Sequence, residues 1–119
     1  MGIERARLVV KTIMPVVDIE AATDFYGRLG FHVVAFDETY AWVHHAGLEI
    51  IHLALVPELD VAANHSACYL HVQDADLWYR TFRDAGVDVG EIADMPWQMR
   101  EFAVLDPSGN RLRIGHNLE

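Results

Sequence analysis

The chain has 119 residues, a length that suits one domain with a buried core. Hydrophobic residues make up 52% of it, which excludes a disordered polypeptide, and the formal net charge of −9 disfavours nucleic acid and anionic lipid as partners and favours a cationic ligand. No apolar run approaches the roughly 18 residues of a membrane-spanning helix, and no secretory signal is recognisable, so we expect a cytoplasmic protein.

The first half of the chain predicts a strand, a helix and three more strands. Residues 8–17 are rich in β-branched side chains and contain Pro15, which restricts a strand to a sheet edge or to an exchanged position. Asp18 is a typical N-cap for a helix whose apolar residues recur at spacings of three and four until Gly30. Turn-forming residues then separate three predicted strands at 31–36, 40–44 and 48–55.

The second half repeats this order. It predicts a strand at 67–72, a helix that begins after Asp74 and ends near 85, and strands at 87–91, 101–105 and 111–116. Residues 106–110, Asp-Pro-Ser-Gly-Asn, have the composition of a type I turn. The single cysteine, Cys68, lies in an apolar stretch and is interpreted as a small buried hydrophobe rather than a catalytic thiol.

The two halves are related by a constant offset. Adding 56 to a position in the first half gives its counterpart in the second, as for Val16 and Val72, Asp18 and Asp74, Gly30 and Gly86. In the last two strands the offset is 62, as for Gly47 and Gly109, so about six residues are inserted near 93–99. We therefore predict an α+β fold of two tandem βαβββ units, at about 8–57 and 66–116 of a single domain, with mixed, strongly curved sheets. A partner chain, a ligand or both should cover their bare faces.

Two stretches of the chain resemble a known family. Asp-Phe-Tyr at 24–26 followed by Leu-Gly-Phe at 29–31, and Pro-Trp-Gln-Met-Arg-Glu-Phe at 96–102 before the 106–110 turn, resemble the vicinal oxygen chelate superfamily of glyoxalases, bleomycin-resistance proteins and dioxygenases. The second stretch is most similar to the bleomycin-resistance proteins. This resemblance implies a homodimer with a groove at the subunit interface. It also implies that Pro15 accompanies exchange of the first strand between subunits.

The resemblance also locates the positions where enzymes of the superfamily hold a divalent metal, on the first and last strands of each unit. These positions carry Lys11, Ile51, Ala67 and Arg113, two cations and two side chains without a donor atom. A shift of one residue would replace Ile51 by His52, but one histidine does not hold a catalytic metal. We therefore expect no metal and no cofactor, and binding rather than catalysis.

Without a metal, the same sheet face would line a ligand site, and strand alternation indicates its residues. Rings from Tyr40, Trp42 and Trp97 could stack on a planar ligand, although core packing is an equal alternative for Trp42. Lys11, Arg100 and Arg113 argue partly against a cationic ligand unless acidic groups pair with them. The predicted ligand-binding residues are Tyr40, Trp42, Glu49, Ile51, Leu53, Asp60, Tyr69, Trp97, Met99 and Arg113.

The leading hypothesis is an antibiotic-resistance protein that sequesters a bleomycin-like cationic glycopeptide in grooves at the interface of a homodimer, without catalysis. Two alternatives stay open. One is capture of another aromatic toxin or metabolite, and the other is a metal-dependent enzyme of the glyoxalase, dioxygenase or thiol-transferase type with a relocated site. The seven histidines are scattered over several predicted strands and a loop, so a metal site built from them would need an unfamiliar geometry.

Overall fold

Two helices and two four-stranded sheets form the protein. The structure, a computed structural model, describes Gly2 and residues 7–119, so the interpretation of the N-terminus falls partly outside the described residues. The elements are β1 (Thr12–Val16), α1 (Ile19–Arg28), β2 (His32–Asp37), β3 (Tyr40–His45), β4 (Leu48–Leu55), a 3₁₀ turn (Val61–Ala63), β5 (Ala67–His71), α2 (Ala75–Asp84), β6 (Ala93–Met95), β7 (Met99–Leu105) and β8 (Arg111–Asn117). None of the described helices is long and apolar enough to cross a bilayer.

The two sheets have the same topology. Their strand orders are β1-β4-β3-β2 and β5-β8-β7-β6, and in each sheet the first strand pairs parallel to the last while the other pairs are antiparallel. The predicted α+β fold of two βαβββ units with mixed sheets is therefore confirmed, and β1–β4 and β5–β8 are called the first and second units below. Pro15 lies in β1, an edge strand, where a missing N–H costs least.

The capping groups lie at the predicted helix ends. The Asp18 carboxylate accepts hydrogen bonds from the backbone N–H groups of Glu20 (2.9 Å) and Ala21 (3.2 Å), and the Asp74 carboxylate caps α2 by accepting from the N–H of Leu77 (3.2 Å). Gly30 (φ 100°) and Gly86 (φ 85°) follow the helices in the left-handed conformation that glycine adopts without strain. The offset of 56 therefore relates caps and stops as well as strands.

The predicted strand at 87–91 is wrong. Val87 and Val89 are buried, 8% and 5% exposed, but they belong to an extended connection that packs in the core instead of pairing in a sheet. The second strand of the second unit is instead β6, formed by the inserted residues, which pair with β7 as a hairpin. The first predicted strand is also shorter than expected, because residues 8–11 precede β1 and are exposed.

One contiguous core lies beneath both sheets. Phe25 and Tyr26 of α1 pack with Met14 on the first sheet, and Phe82 of α2 meets Phe102 on the second with ring centroids 5.9 Å apart. Amphipathic helices bury one face in this way, and each fully buried large side chain contributes about 1.5 to 3 kcal/mol. The helices therefore cover one face of each sheet and leave the other available for ligand or partner.

A polar cluster on the β7–β8 turn, the interunit clasp, joins the two units. The clasp consists of Asp106, Ser108 and Asn110, all at most 5% exposed. Its contacts with the first unit are Tyr26 Oη to Asp106 (2.8 Å), Val17 N–H to Ser108 Oγ (2.9 Å) and Asn110 Nδ2 to the Pro15 carbonyl (2.8 Å). Because burial without partners is costly for such groups, the clasp requires the first unit to be folded beside it.

Candidate functional site

A groove separates the two units on the side away from the clasp. This interunit groove has a volume of about 1020 Å³ and lies between the residues that precede β1, the start of β4, β5 and the beginning of α2. Its lining includes Val10, Lys11, Glu49, Tyr69, His71 and Trp78. A groove of this size with an apolar majority and a few polar groups suits an organic ligand.

The first unit contributes one polar cluster beside this groove. A register shift in the β3–β4 pair makes Glu49 the partner of His44, whereas Val43 pairs with Ile51, so Ile50 is an extra residue on β4. Such a bulge changes the side to which a side chain points. Glu49 consequently joins Tyr40 and His52 in what is called the first-unit cluster.

Hydrogen bonds order the first-unit cluster. His52 Nδ1 lies 2.7 Å from Tyr40 Oη, and its Nε2 bonds the Glu49 carboxylate. An ionised carboxylate only accepts, so Nε2 carries the proton of the neutral imidazole and Nδ1 accepts from the Tyr40 hydroxyl. Trp42 stands beside the cluster, with its ring centroid 6.5 Å from that of His52 and 6.2 Å from that of Tyr40.

The second unit contributes a different cluster, built around a buried acid. Glu101 is 5% exposed and accepts from Trp97 Nε1 (2.9 Å) and Tyr69 Oη (3.1 Å) through Oε1. Its Oε2 accepts from Arg113 (3.3 Å). Burial and the bond to Glu101 raise the pKa of Tyr69 to about 12. These four residues form the second-unit cluster, in which the carboxylate is neutralised by a guanidinium.

Two backbone features make the second-unit cluster possible. The β6–β7 hairpin turns through Gln98, at φ 66°, and thereby presents Trp97 near the start of β7. Gly115 on β8 leaves room for Tyr69, because a Cβ there would lie 2.1 Å from its hydroxyl and 2.8 Å from Glu101 Cβ. Glycine is thus required at 115 by close approach and not by its dihedral angles.

The structure brings together most of the predicted ligand-binding residues. Tyr40, Trp42 and Glu49 meet in or beside the first cluster, Tyr69, Trp97 and Arg113 meet in the second, and Met99 is partly buried at the start of β7. Among all of these, Glu49 and Tyr69 line the groove directly.

Three predicted residues lie elsewhere. Ile51 and Leu53 are 1% and 0% exposed in the core, because the bulge at Ile50 reverses the alternation that placed them with Glu49. Asp60 is exposed before the 3₁₀ turn and joins neither cluster. The proposed site therefore excludes these three residues.

His52 and Glu101 were absent from the predicted set. Alternation counted from β1 would have found His52, since Ile13 pairs with it across the sheet. The sequence signal for Glu101 was weaker. Glu101 lies four residues after Trp97, and the two side chains meet because the chain folds into a hairpin between them.

Arg100, expected near the pocket, instead faces α2 and bonds Asp76 (3.0 Å) and Asp94 (2.9 Å). The hydrogen bond from Arg100 lowers the pKa of Asp76.

The residues on the groove-side face do not suit the divalent metal of the superfamily enzymes. The paired first-strand and last-strand residues there are Ile13 with His52 and Tyr69 with Arg113. That set has one nitrogen ligand, one phenol and one cation, too few donors for a catalytic metal. In the part of the chain that the structure describes, no three His, Cys, Asp or Glu side chains are grouped to hold a metal ion.

Cys68 is unsuited to nucleophilic chemistry at neutral pH. Its side chain is partly buried beside the core, and burial raises the pKa of the thiol to about 11. A thiolate is the reactive form, so its population near neutrality is very small.

Comparison with known proteins agrees with this geometry. A bleomycin-binding protein solved in complex with bleomycin has a TM-score of 0.85 and 24% identity, covering 93% of this chain and 99% of its own. The bleomycin-binding protein of bleomycin-producing Streptomyces verticillus, solved with copper(II)-bleomycin, has a TM-score of 0.77 and 27% identity, covering 92% and 95%. Lactoylglutathione lyase from Agrobacterium tumefaciens has a TM-score of 0.75 and 17% identity, covering 94% and 95%.

A search of curated proteins gave no match. The model of the Glyoxalase/Bleomycin resistance protein/Dioxygenase superfamily matches residues 8–114, nearly the whole described chain. The fold agrees with this match, because two repeated units with parallel first and last strands form nearly all of the matched residues. The chain belongs to the Glyoxalase/Bleomycin resistance protein/Dioxygenase superfamily.

Proposed function

We propose that this protein sequesters a bleomycin-like cationic glycopeptide in the cytoplasm, in grooves formed where two copies of the chain meet, and that it does so without chemistry. The observation that carries the proposal is the pair of aromatic and acidic clusters, which reach the interunit groove through Glu49 and Tyr69. Tyr40, Trp42 and Trp97 offer rings for planar groups, and Glu49 offers a carboxylate for a cation. Structural similarity to two bleomycin-binding proteins supports this choice of ligand class.

Exposed apolar residues at the N-terminal edge support the dimer. Leu8 is 85% exposed, Val10 is 81% exposed and Ile13 on edge strand β1 is 60% exposed. An apolar patch on an unpaired strand edge favours association with a second chain. Exchange of β1, with Pro15 at its centre, is part of the proposal; in the single chain β1 pairs with β4.

Calorimetry with bleomycin tests the proposal directly. We expect saturable binding with two ligands per dimer, quenching of tryptophan fluorescence, and recovery of chemically unchanged bleomycin from the complex. Sedimentation in the same buffer should give twice the mass of the chain. Absence of both heat and quenching would contradict the ligand, and a monomeric mass would contradict the shared groove.

Trp97→Ala sharpens this test. Trp97 is 54% exposed, so we expect only a small loss of stability, about 1 kcal/mol from the bond to Glu101, but a loss of about 1 to 3 kcal/mol in bleomycin binding. Leu105→Ala is the matched control, because Leu105 is also 54% exposed but lies at the far end of β7, the strand that follows the Trp97 turn. If the two variants bound bleomycin with equal affinity, Trp97 would not be a ligand-binding residue.

A second candidate is capture of an aromatic anion. It is favoured by Arg111 and Arg113, which are both exposed and two residues apart on β8, so that they share one face. Thermal shifts with a panel of planar antibiotics of either charge separate the two candidates. Metal analysis of the purified protein tests the enzymatic alternative, which predicts a stoichiometric divalent ion.

A further inference from the structure

The carboxylates of the two clusters differ in whether a permanent cation neutralises them. Glu101 is paired with the Arg113 guanidinium. Glu49 has His52 as its ion-pair partner among the described residues, and the Lys11 ammonium bonds the Glu49 backbone carbonyl rather than its carboxylate. Among the described residues, the Glu49 carboxylate is therefore bonded by no guanidinium or ammonium group and remains available to a cationic ligand.

The hydrogen bonds of the first-unit cluster leave an acceptor on Tyr40. With Nε2–H of His52 donating to Glu49, the Tyr40 hydroxyl donates to Nδ1. The remaining lone pairs of the phenol oxygen can therefore accept an N–H from a ligand, and the negative charge of Glu49 strengthens that bond through the polarised chain. Glu49 retains 32% exposure of its side chain and can be approached as well.

Aromatic rings surround this acceptor. Trp42 lies with its centroid 6.2 Å from the Tyr40 ring and 6.0 Å from Phe36, which is 69% exposed. Such ring faces attract organic cations and exclude competing water. An amidinium, guanidinium or protonated amine on a planar group matches the acceptor, the charge and the rings together.

We propose that Tyr40, His52 and Glu49 form the subsite that receives the cationic group of the ligand, and that this group is an organic cation on a planar ring. This inference rests on the proposed binding function and assigns the cation to the first unit.

Benzamidine, benzamide and benzoate test this subsite, since they share a ring and differ in charge. Titrations followed by tryptophan fluorescence and by NMR should show benzamidine binding about tenfold more tightly than benzamide, and benzoate more weakly still. If benzoate bound as tightly as benzamidine, the proposal would be overturned.

Two variants localise the effect. Glu49→Gln and Tyr40→Phe should each reduce benzamidine binding to about the benzamide level. Glu38→Gln removes the same charge from an exposed position outside the cluster and should change affinity by less than about twofold, because solvent and salt screen it. If Glu38→Gln and Glu49→Gln weakened benzamidine binding equally, a direct contact between the ligand and Glu49 would be ruled out.

This experiment is separable from the bleomycin titration. Selective benzamidine binding without bleomycin binding would contradict the proposed ligand and leave the cation subsite standing. Bleomycin binding that Glu49→Gln and Tyr40→Phe leave unchanged, together with no preference for benzamidine, would contradict the subsite and leave the proposed function standing.

Discussion

The clusters of the two units occupy related positions in a duplicated fold but have opposite electrostatic designs. In the first unit, Glu49 is partly exposed and bonded to a histidine, whereas in the second, Glu101 is 5% exposed and enclosed by Tyr69, Trp97 and Arg113. A buried carboxylate with several donors rigidifies its surroundings, while an exposed one remains free to bind. The comparison suggests that one unit holds the groove in shape and the other receives charge.

The largest test of this comparison removes each carboxylate in turn. Glu101→Ala leaves Arg113, Tyr69 and Trp97 without their acceptor and should cost about 3 kcal/mol of unfolding free energy, whereas Glu49→Ala should cost less than about 1 kcal/mol. Urea unfolding followed by circular dichroism measures both values. Glu101→Gln, with a smaller expected loss, provides the measurement if the alanine variant does not fold. Similar losses for the two alanine variants would contradict the assigned division of roles.

A smaller effect is expected from the glycine that accommodates Tyr69. Gly115→Ala should cost about 2 kcal/mol, because the added Cβ would overlap the Tyr69 hydroxyl and approach Glu101. Gly27→Ala is the matched control in α1, where nothing lies within 4 Å of the added carbon, and it should stabilise the protein by up to about 1 kcal/mol. Differential scanning calorimetry distinguishes the two, and equal shifts in Tm would argue against close packing at Gly115.

The smallest effect concerns pH. The pKa of Tyr69 is raised from 10.0 to about 12, so the folded state holds this proton more strongly than the unfolded state does. Stability from this source is fully present below the ordinary pKa and is lost as pH rises through about 12. Tyr69→Phe should reduce the loss of stability at high pH. The difference in phenolate absorbance between the wild-type protein and this variant should titrate near 12. If the Tyr69 phenol instead titrated near 10.0, the proposed bond to Glu101 would be contradicted.

Much of the fold followed from local signals in the sequence. Asp18, Asp74, Gly30 and Gly86 have strong positional preferences, and their constant offset revealed the duplication. The strand at 87–91 was predicted wrongly because a buried apolar connection and a buried strand have similar composition. The strand that pairs with β7 is β6, which the inserted residues form. This pairing depends on contacts between strands, so the local sequence did not reveal it.

The candidate site was less predictable than the fold. Residue types suggested Trp97, Tyr69 and Glu49, but strand alternation failed along β4, because the extra residue Ile50 reverses the side chains beyond it. A bulge depends on the register of two strands and leaves little trace in one sequence. His52 therefore became recognisable as a site residue from the pairing of β1 with β4.

The interunit clasp has a consequence for the equivalent turn of the first unit. Subtracting 62 from Asp106, Ser108 and Asn110 gives His44, Ala46 and Leu48, so the carboxylate, hydroxyl and amide exist in one copy only. The turn with these groups is sequestered, whereas Leu48 remains 69% exposed at the groove. One turn of the duplicated pair therefore ties the two units together, whereas the equivalent turn leaves an apolar side chain accessible to whatever enters the groove.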